Sequence, residues 1–179
     1  MKPSVTLRGG SGVSKGTPES CRRWVKDSGK IAAIMSAVLS VVQPDLYALN
    51  RECLLRLSER EDLRDFIAPW GFTFNAVSVI SNRSSPAHRD GRSGGAQYSD
   101  VLVSLGGDTG TVLELYSLGI RCRYPSGSMA IFSGHTILHG VSDSVTERVC
   151  IAGYSRPAVL RSTKLGAPKW VTLIELIDQ

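Results

Sequence analysis

Apolar positions along this chain change their period near residue 70. Upstream, IAAIMSAVLSVV (31–42) is an almost unbroken apolar run. It is long for a strand and well short of the roughly 20 residues a membrane-crossing helix needs, so it reads as a buried helix. Ser28 stands before it as an N-cap residue, and Pro44 ends a helix over 30–43. A second helix starts at Asp45 and runs to about Arg60. Its apolar residues Leu46, Leu49, Cys53, Leu54 and Leu57 recur at three and four positions and share one face. A short third helix covers 62–67 and stops at Pro69.

Downstream the period shortens to two. FTFNAVSVIS (72–81), DVLVSL (100–105), TVLELYS (111–117), GIRCRY (119–124), SMAIFS (128–133) and RVCIAGY (148–154) are short, alternating and rich in β-branched residues. GRSGG, GGDTG, PSG and SGH punctuate them. Short strands at this spacing predict an antiparallel sandwich or barrel, and helices followed by strands predict the α+β class. The last stretch, APKWVTLIELIDQ (167–179), fits a strand or a short helix. Residues 1–20 carry Gly, Ser, Thr and Pro without an apolar period and read as flexible.

Composition narrows the class. A chain of 179 residues suits one domain. Its four cysteines show no CxxC spacing, which reads as free thiols in the cytosol or nucleus. The first residues lack the apolar core of a secretory signal, so secretion is not expected, and no membrane partner is. Residues 1–30 hold seven basic and two acidic side chains, which accounts for the whole formal charge of +5. Such a segment either binds a polyanion or is a solvated tail.

The chemistry gathers around PAHRDGRSGG (86–95). His88 and Asp90, two apart, project to one side of an extended chain and can reach one divalent ion. The remaining histidines, His135 and His139, compete for third ligand. His139 is preferred because Gly140 and Val141 return the chain to the sheet. Two imidazoles and one carboxylate form the facial triad of non-haem iron oxygenases, with positions left open for co-substrate and dioxygen. Arg148 follows nine residues after His139 and opens an apolar strand. A buried guanidinium needs an anion, and a dicarboxylate co-substrate supplies one. Cys150 lies two residues on, facing the same way. Each residue also has an ordinary reading: a loop histidine for His88, a backbone-bonded one for His139, a surface salt bridge to Glu147 or Asp143 for Arg148. Arg83, Arg89 and Arg92 are candidate phosphate contacts or solvated loop charges.

NRSSPAHRDGR, YSDVLVSLGG, LGIRCRYPSGSMAIFSGHTILHGVSD and ERVCIAGYSRPAV together resemble the Tet/JBP dioxygenases, in their fungal, transposon-associated branch, over about residues 70–159. The resemblance implies a double-stranded β-helix (jelly roll) preceded by N-terminal helices packed on its outer face. The domain reading is a flexible basic segment over 1–28, then one dioxygenase domain over 29–179 with helices at 29–68 and the jelly-roll core at 70–159. By resemblance, His88, Asp90 and His139 bind Fe(II), and Arg148 grips the distal carboxylate of 2-oxoglutarate, with Cys150 where relatives often have serine. Tyr154 would line a base pocket, and Arg156 falls where animal relatives place a base-contacting histidine. Three residues after the metal-binding Asp, relatives carry Asn or Asp toward the base, and this chain has Ser93.

The implied reaction uses O2 to oxidise a methyl group on a flipped nucleic-acid base, 5-methylcytosine first and N6-methyladenine second, with ascorbate as a stimulant. The implied partner is nucleic acid, DNA before RNA, with no obligate protein partner, in the nucleus or else the cytoplasm. With so short a chain, loops 83–99, the tail and the leading helices would hold the nucleic acid. The alternatives are a 2-oxoglutarate oxygenase of a protein or small molecule, and a non-catalytic nucleic-acid-binding relative.

Overall fold

Pro44 closes one helix and opens the next. The computed structural model describes residues 4–9, 12–14, 18–91 and 93–169. In it α1 (Pro18–Asp27) runs almost directly into α2 (Gly29–Val42), and α3 (Pro44–Ser58) begins on the proline. A first-turn proline lacks only an N–H that would have no intrahelical partner anyway. α4 (Glu61–Ile67) completes the helical layer. Ser28 does not cap α2 with its side chain, contrary to the sequence expectation. Its Oγ donates back to Trp24 O at 2.7 Å, so it serves the end of α1.

The strands are β1 (Ser4–Gly9), β2 (Gly12–Ser14), β3 (Ala76–Ser81), β4 (Ser85–His88), β5 (Asp100–Gly106), β6 (Val112–Leu115), β7 (Ile120–Arg123), β8 (Met129–Phe132), β9 (His139–Val141) and β10 (Arg148–Tyr154). They form a six-stranded sheet in the order β2-β1-β3-β10-β5-β8 and a four-stranded sheet in the order β4-β9-β6-β7. A six-residue helix, α5 (Pro157–Ser162), follows. This is a jelly roll preceded by helices, the α+β arrangement expected.

Several local expectations are corrected. Within the leading segment read as flexible, β1 pairs in parallel with β3, Val5 opposite Val77 and Leu7 opposite Val79, and residues 18–27 are helical. The alternation in SVTLRG carried that strand, but its glycine-rich surroundings hid it. Only 76–81 of the expected strand 72–81 is a strand. Phe72 and Phe74 are instead fully buried beneath the helices, and the Phe72 ring stacks on Trp24 with centroids 5.8 Å apart. A 3-10 turn at Tyr116–Leu118 ends the strand expected over 111–117, and Gly119 leaves that turn with φ of 65°. β4, β9 and α5 are too short to show a period. Residues 170–179, where strand and helix were both open, lie outside the described residues.

The sheet's alternation divides the molecule's two interiors. Val77, Val101, Val103 and Ile151 point outward into a core shared with Met35, Leu39 and other residues of the helices. Each fully buried side chain of that kind contributes about 1.5–3 kcal/mol. Ser78, Leu102, Cys150, Ala152 and Tyr154 point the other way and line a cavity between the two sheets. A smaller cluster of Leu113, Tyr124 and Val141 closes the inner space.

Candidate metal centre and substrate cavity

β4 ends on His88, β9 begins on His139, and the two are register partners. Antiparallel pairing alone therefore sets the imidazoles side by side, with ring centroids 4.3 Å apart. Asp90 follows in the turn after β4, where its N–H donates to Gly134 O at 2.8 Å. Asp90 Oδ1 lies 3.7 Å from His88 Nε2, and Asp90 Oδ2 lies 3.7 Å from His139 Nε2. One ligand atom from each residue falls within 4.8 Å of the others. His135 is exposed and outside this group.

The hydrogen bonding fits a metal. His88 Nδ1 lies 2.8 Å from Pro86 O, and His139 Nδ1 lies 2.9 Å from Ile137 O. A carbonyl only accepts, so each Nδ1 carries the proton and each Nε2 presents a lone pair. Burial pushes the pKa of His139 down, and the neighbouring His88 adds to that effect, which keeps the ring neutral. Two imidazole lone pairs facing one carboxylate repel unless a cation sits among them. Bonds of about 2.0–2.2 Å to a divalent ion suit atoms at this separation. His139 is buried against the edge of Phe132, 4.9 Å between centroids, while His88 and Asp90 face the open side.

The cavity beside the triad measures about 510 Å³. Arg148, Cys150, Ala152 and Tyr154 enter it from alternate positions of β10. Arg148 is 4% exposed and has no carboxylate within ion-pair reach among the described residues, which replaces the surface salt bridge with Glu147 or Asp143. Its Nε donates to Ser104 Oγ at 3.0 Å, and its guanidinium carbon lies 5.1 Å from the centre of the Tyr124 ring. Arg148 Nη2 and the Tyr124 hydroxyl are both buried, with only the Cys150 thiol beside them as a weak partner. Burial pushes the thiol pKa of Cys150 up, so it stays protonated as a weak donor beside them. A buried cation with no carboxylate partner among the described residues fits the carboxylate end of a keto-diacid.

The other end of the cavity holds Tyr154, Arg156, Ser93 and Asp100. Tyr154 Oη lies 3.3 Å from Ser78 Oγ and accepts from Arg156 Nη2 at 3.2 Å. Ser93 is buried, and its Oγ donates to Asp90 O at 3.1 Å. Asp100 is buried at the start of β5. Burial, and after it the charge of Asp90, pushes its carboxyl up to about 7. Arg83 and Arg89 are exposed at the cavity rim, where Arg89 Nε donates to Thr136 O at 3.0 Å. Arg92 lies outside the described residues. The sequence did not single out Tyr124, Ser104 or Asp100. The inward alternation of β5 pointed toward Asp100 and Ser104, but nothing local marked Tyr124.

A jelly roll with this His-X-Asp and His arrangement, and a buried arginine at the far end of the cavity, defines the Fe(II)/2-oxoglutarate oxygenase class. The family model Tet_JBP, the oxygenase domain of the 2OGFeDO superfamily, matches residues 13–157, and the chain belongs to that family. Its superfamily takes Fe(II) and 2-oxoglutarate. Among solved structures, NgTET1 in complex with 5mC DNA aligns with a TM-score of 0.55 at 14% identity, over 75% of this chain and 51% of that one. The chain therefore spans about half the length of that structure, and the likeness is one of fold. An RmlC-like cupin protein from Desulfovibrio desulfuricans aligns with a TM-score of 0.33 at 16% identity, over 44% of this chain and 71% of that one. No curated protein matches the chain.

Proposed function

We propose that this chain is an Fe(II)/2-oxoglutarate-dependent dioxygenase that oxidises a methyl group on a nucleic-acid base, 5-methylcytosine first and N6-methyladenine second. The observation that carries the reading is the meeting of His88 Nε2, Asp90 and His139 Nε2 within 4.8 Å in a cavity that also holds an unpaired, buried Arg148. When bound, an iron–2-oxoglutarate centre supplies dioxygen-driven oxidation of a C–H bond, with succinate and carbon dioxide as by-products.

The protein's own residues bind, orient and shield. Arg148 would hold the distal carboxylate of the co-substrate, Ser104 fixes the guanidinium, and the Cys150 thiol lines the same part of the cavity. Apolar Leu102 and Val141 line the path between Arg148 and the triad and keep water out. Tyr154, steadied by Ser78 and Arg156, lines the cavity and supplies an aromatic side chain that would suit a planar base taken out of its stack. Arg83 and Arg89 at the rim are offered as phosphate contacts, and Arg92 is offered with them from the sequence alone.

The DNA in the NgTET1 complex supports nucleic acid, DNA before RNA, as partner. The nucleus is the proposed site of action, and the residues quoted above support the fungal, transposon-associated branch. Incubation with Fe(II), 2-oxoglutarate and ascorbate on DNA carrying either modified base, followed by nucleoside mass spectrometry, tests the reading. It expects oxidised 5-methylcytosine together with succinate. Succinate stimulated by a peptide, and by no oligonucleotide, would overturn it.

A further inference from the structure

Between Lys30 and Asp45 the chain carries no charged side chain. The inner face of α2 explains half of that, because Ala32, Met35 and Leu39 are buried in the core. The outer face is apolar too. Ala33, Ile34, Ala37, Val41 and Val42 are exposed, Ile34 at 52%, Val41 at 82% and Val42 at 54%. Ile34, Ala37 and Val41 follow at three and four residues, with Ala33 and Val42 on the flanks, so they form one stripe rather than scattered surface hydrophobes. The two serines of α2 lend it no free donor. Ser36 Oγ donates to Ala32 O and Ser40 Oγ to Ala37 O, both at 2.7 Å. A surface helix of a globular protein ordinarily carries charge on this side.

The charges at the two ends say what covers the stripe. Lys30 stands four residues before Ile34, on the same side of α2. Asp45 stands four residues after Val41, in the first turn of α3. Both are exposed, and neither has an ion-pair partner among the described residues. An apolar stripe with a cation at one end and an anion at the other is complementary to itself, provided the two copies run antiparallel. A two-fold axis between Ala37 and Val38 sets Ile34 against the partner's Val41 and Ala33 against the partner's Val42. It also brings Lys30 toward the partner's Asp45. Each contact then occurs twice. A parallel pairing would set lysine on lysine and aspartate on aspartate.

We propose that a second copy of this chain covers this face, the two α2 helices packing antiparallel about that axis. α2 has 14 residues, a length of about 21 Å. A contact of that length falls below the roughly 1,200 Å² of a standard interface, so the expected dimer has a micromolar Kd. The stripe faces away from the sheet that α2 packs on, and the cavity lies on the other side of that sheet. Both cavities of the dimer therefore stay open, and the inference does not depend on which substrate enters them.

Sedimentation velocity of the full chain over about 1–300 μM brackets such a Kd. Wild type is expected to pass from the 19.3 kDa monomer to twice that mass. Val41→Glu should raise the Kd by at least about tenfold, by placing a charge in the centre of the contact. Lys30→Glu and Asp45→Lys should each raise it by about tenfold, because each sets like charges together at both ends. An equimolar mixture of those two variants restores opposite charges at both ends, and it should dimerise about as well as wild type.

A wild type that stays monomeric overturns the proposal. If unfolding stability then also falls in Val41→Glu, the face is covered by a segment of the same chain instead. A dimer indifferent to Val41→Glu overturns it as well, by using another surface. So does a mixture of the charge variants that dimerises no better than either alone.

Discussion

Asn82 bonds both backbone groups of Arg148: its N–H donates to Arg148 O at 2.8 Å, and its Oδ1 accepts from the Arg148 N–H at 2.8 Å. Asn82 does this from φ of 50°, a left-handed conformation that asparagine tolerates better than most residues. The start of β10, and with it the guanidinium root, is held by one residue through its backbone and its side chain. Asn82→Ala is expected to lose about 1–3 kcal/mol of stability, from the lost acceptor and the strained φ together. Asn82→Gly should lose less, because only the acceptor goes. Urea unfolding of the three proteins checks the order.

Gly134→Ala probes the peptide between the two carboxylates. The new methyl group would press on Asp90 Oδ2, a ligand-side atom, and on the oxygen that Asp100 gives to Gly134. Divalent-ion affinity is expected to fall by roughly 10–100-fold, as when other supports around metal ligands are disturbed. Isothermal titration with Mn(II) reads it directly. Unchanged affinity would mean that this turn relaxes without moving Asp90.

Tyr124→Phe separates binding from packing. The hydroxyl is buried with only the weak Cys150 thiol as partner, so deleting it should change unfolding stability by no more than about 1 kcal/mol. If that hydroxyl serves the co-substrate, 2-oxoglutarate affinity should drop by about tenfold. A loss of stability with affinity intact would make Tyr124 a packing residue only.

The sequence carried the long helices and the buried strands, where period and burial agree: RVCIAGY is β10 residue for residue, and Pro44 marks a true helix boundary. It carried β4 and β9 poorly, because four and three residues cannot show an alternation. Those are the strands that bring His88 and His139 together, so spacing proposed the triad while long-range pairing made it. Phe72 and Phe74 looked like strand residues because aromatic alternation suits a pleated surface, yet their rings fill the gap under the helices. Tyr124 needed three dimensions. A hydroxyl buried beside a guanidinium leaves no trace in sequence pattern.

Asp108 gives the pH dependence a sign. It accepts from the Val145 N–H at 2.8 Å, from Ser144 Oγ at 3.0 Å and from the Gly110 N–H at 2.7 Å. These bonds hold its carboxyl below the usual range, led by the one from Val145. A depressed folded-state pKa gives stability that is present above the unfolded value, about 3.9, and is lost as pH falls through the folded value. Asp108→Asn should therefore differ from wild type in unfolding free energy at neutral pH, and the gap should close as pH drops below about 4. A gap that stays constant across that range would assign the effect to shape rather than charge.

The central claim is that His88, Asp90 and His139 share one divalent ion. Calorimetric titration of the metal-free protein with Fe(II) under anaerobic conditions, for wild type, His139→Ala and His135→Ala, tests it most directly. The account predicts one tight site in wild type, the same site in His135→Ala and its loss in His139→Ala. Tight binding that survives His139→Ala, or that disappears with His135→Ala, would contradict it.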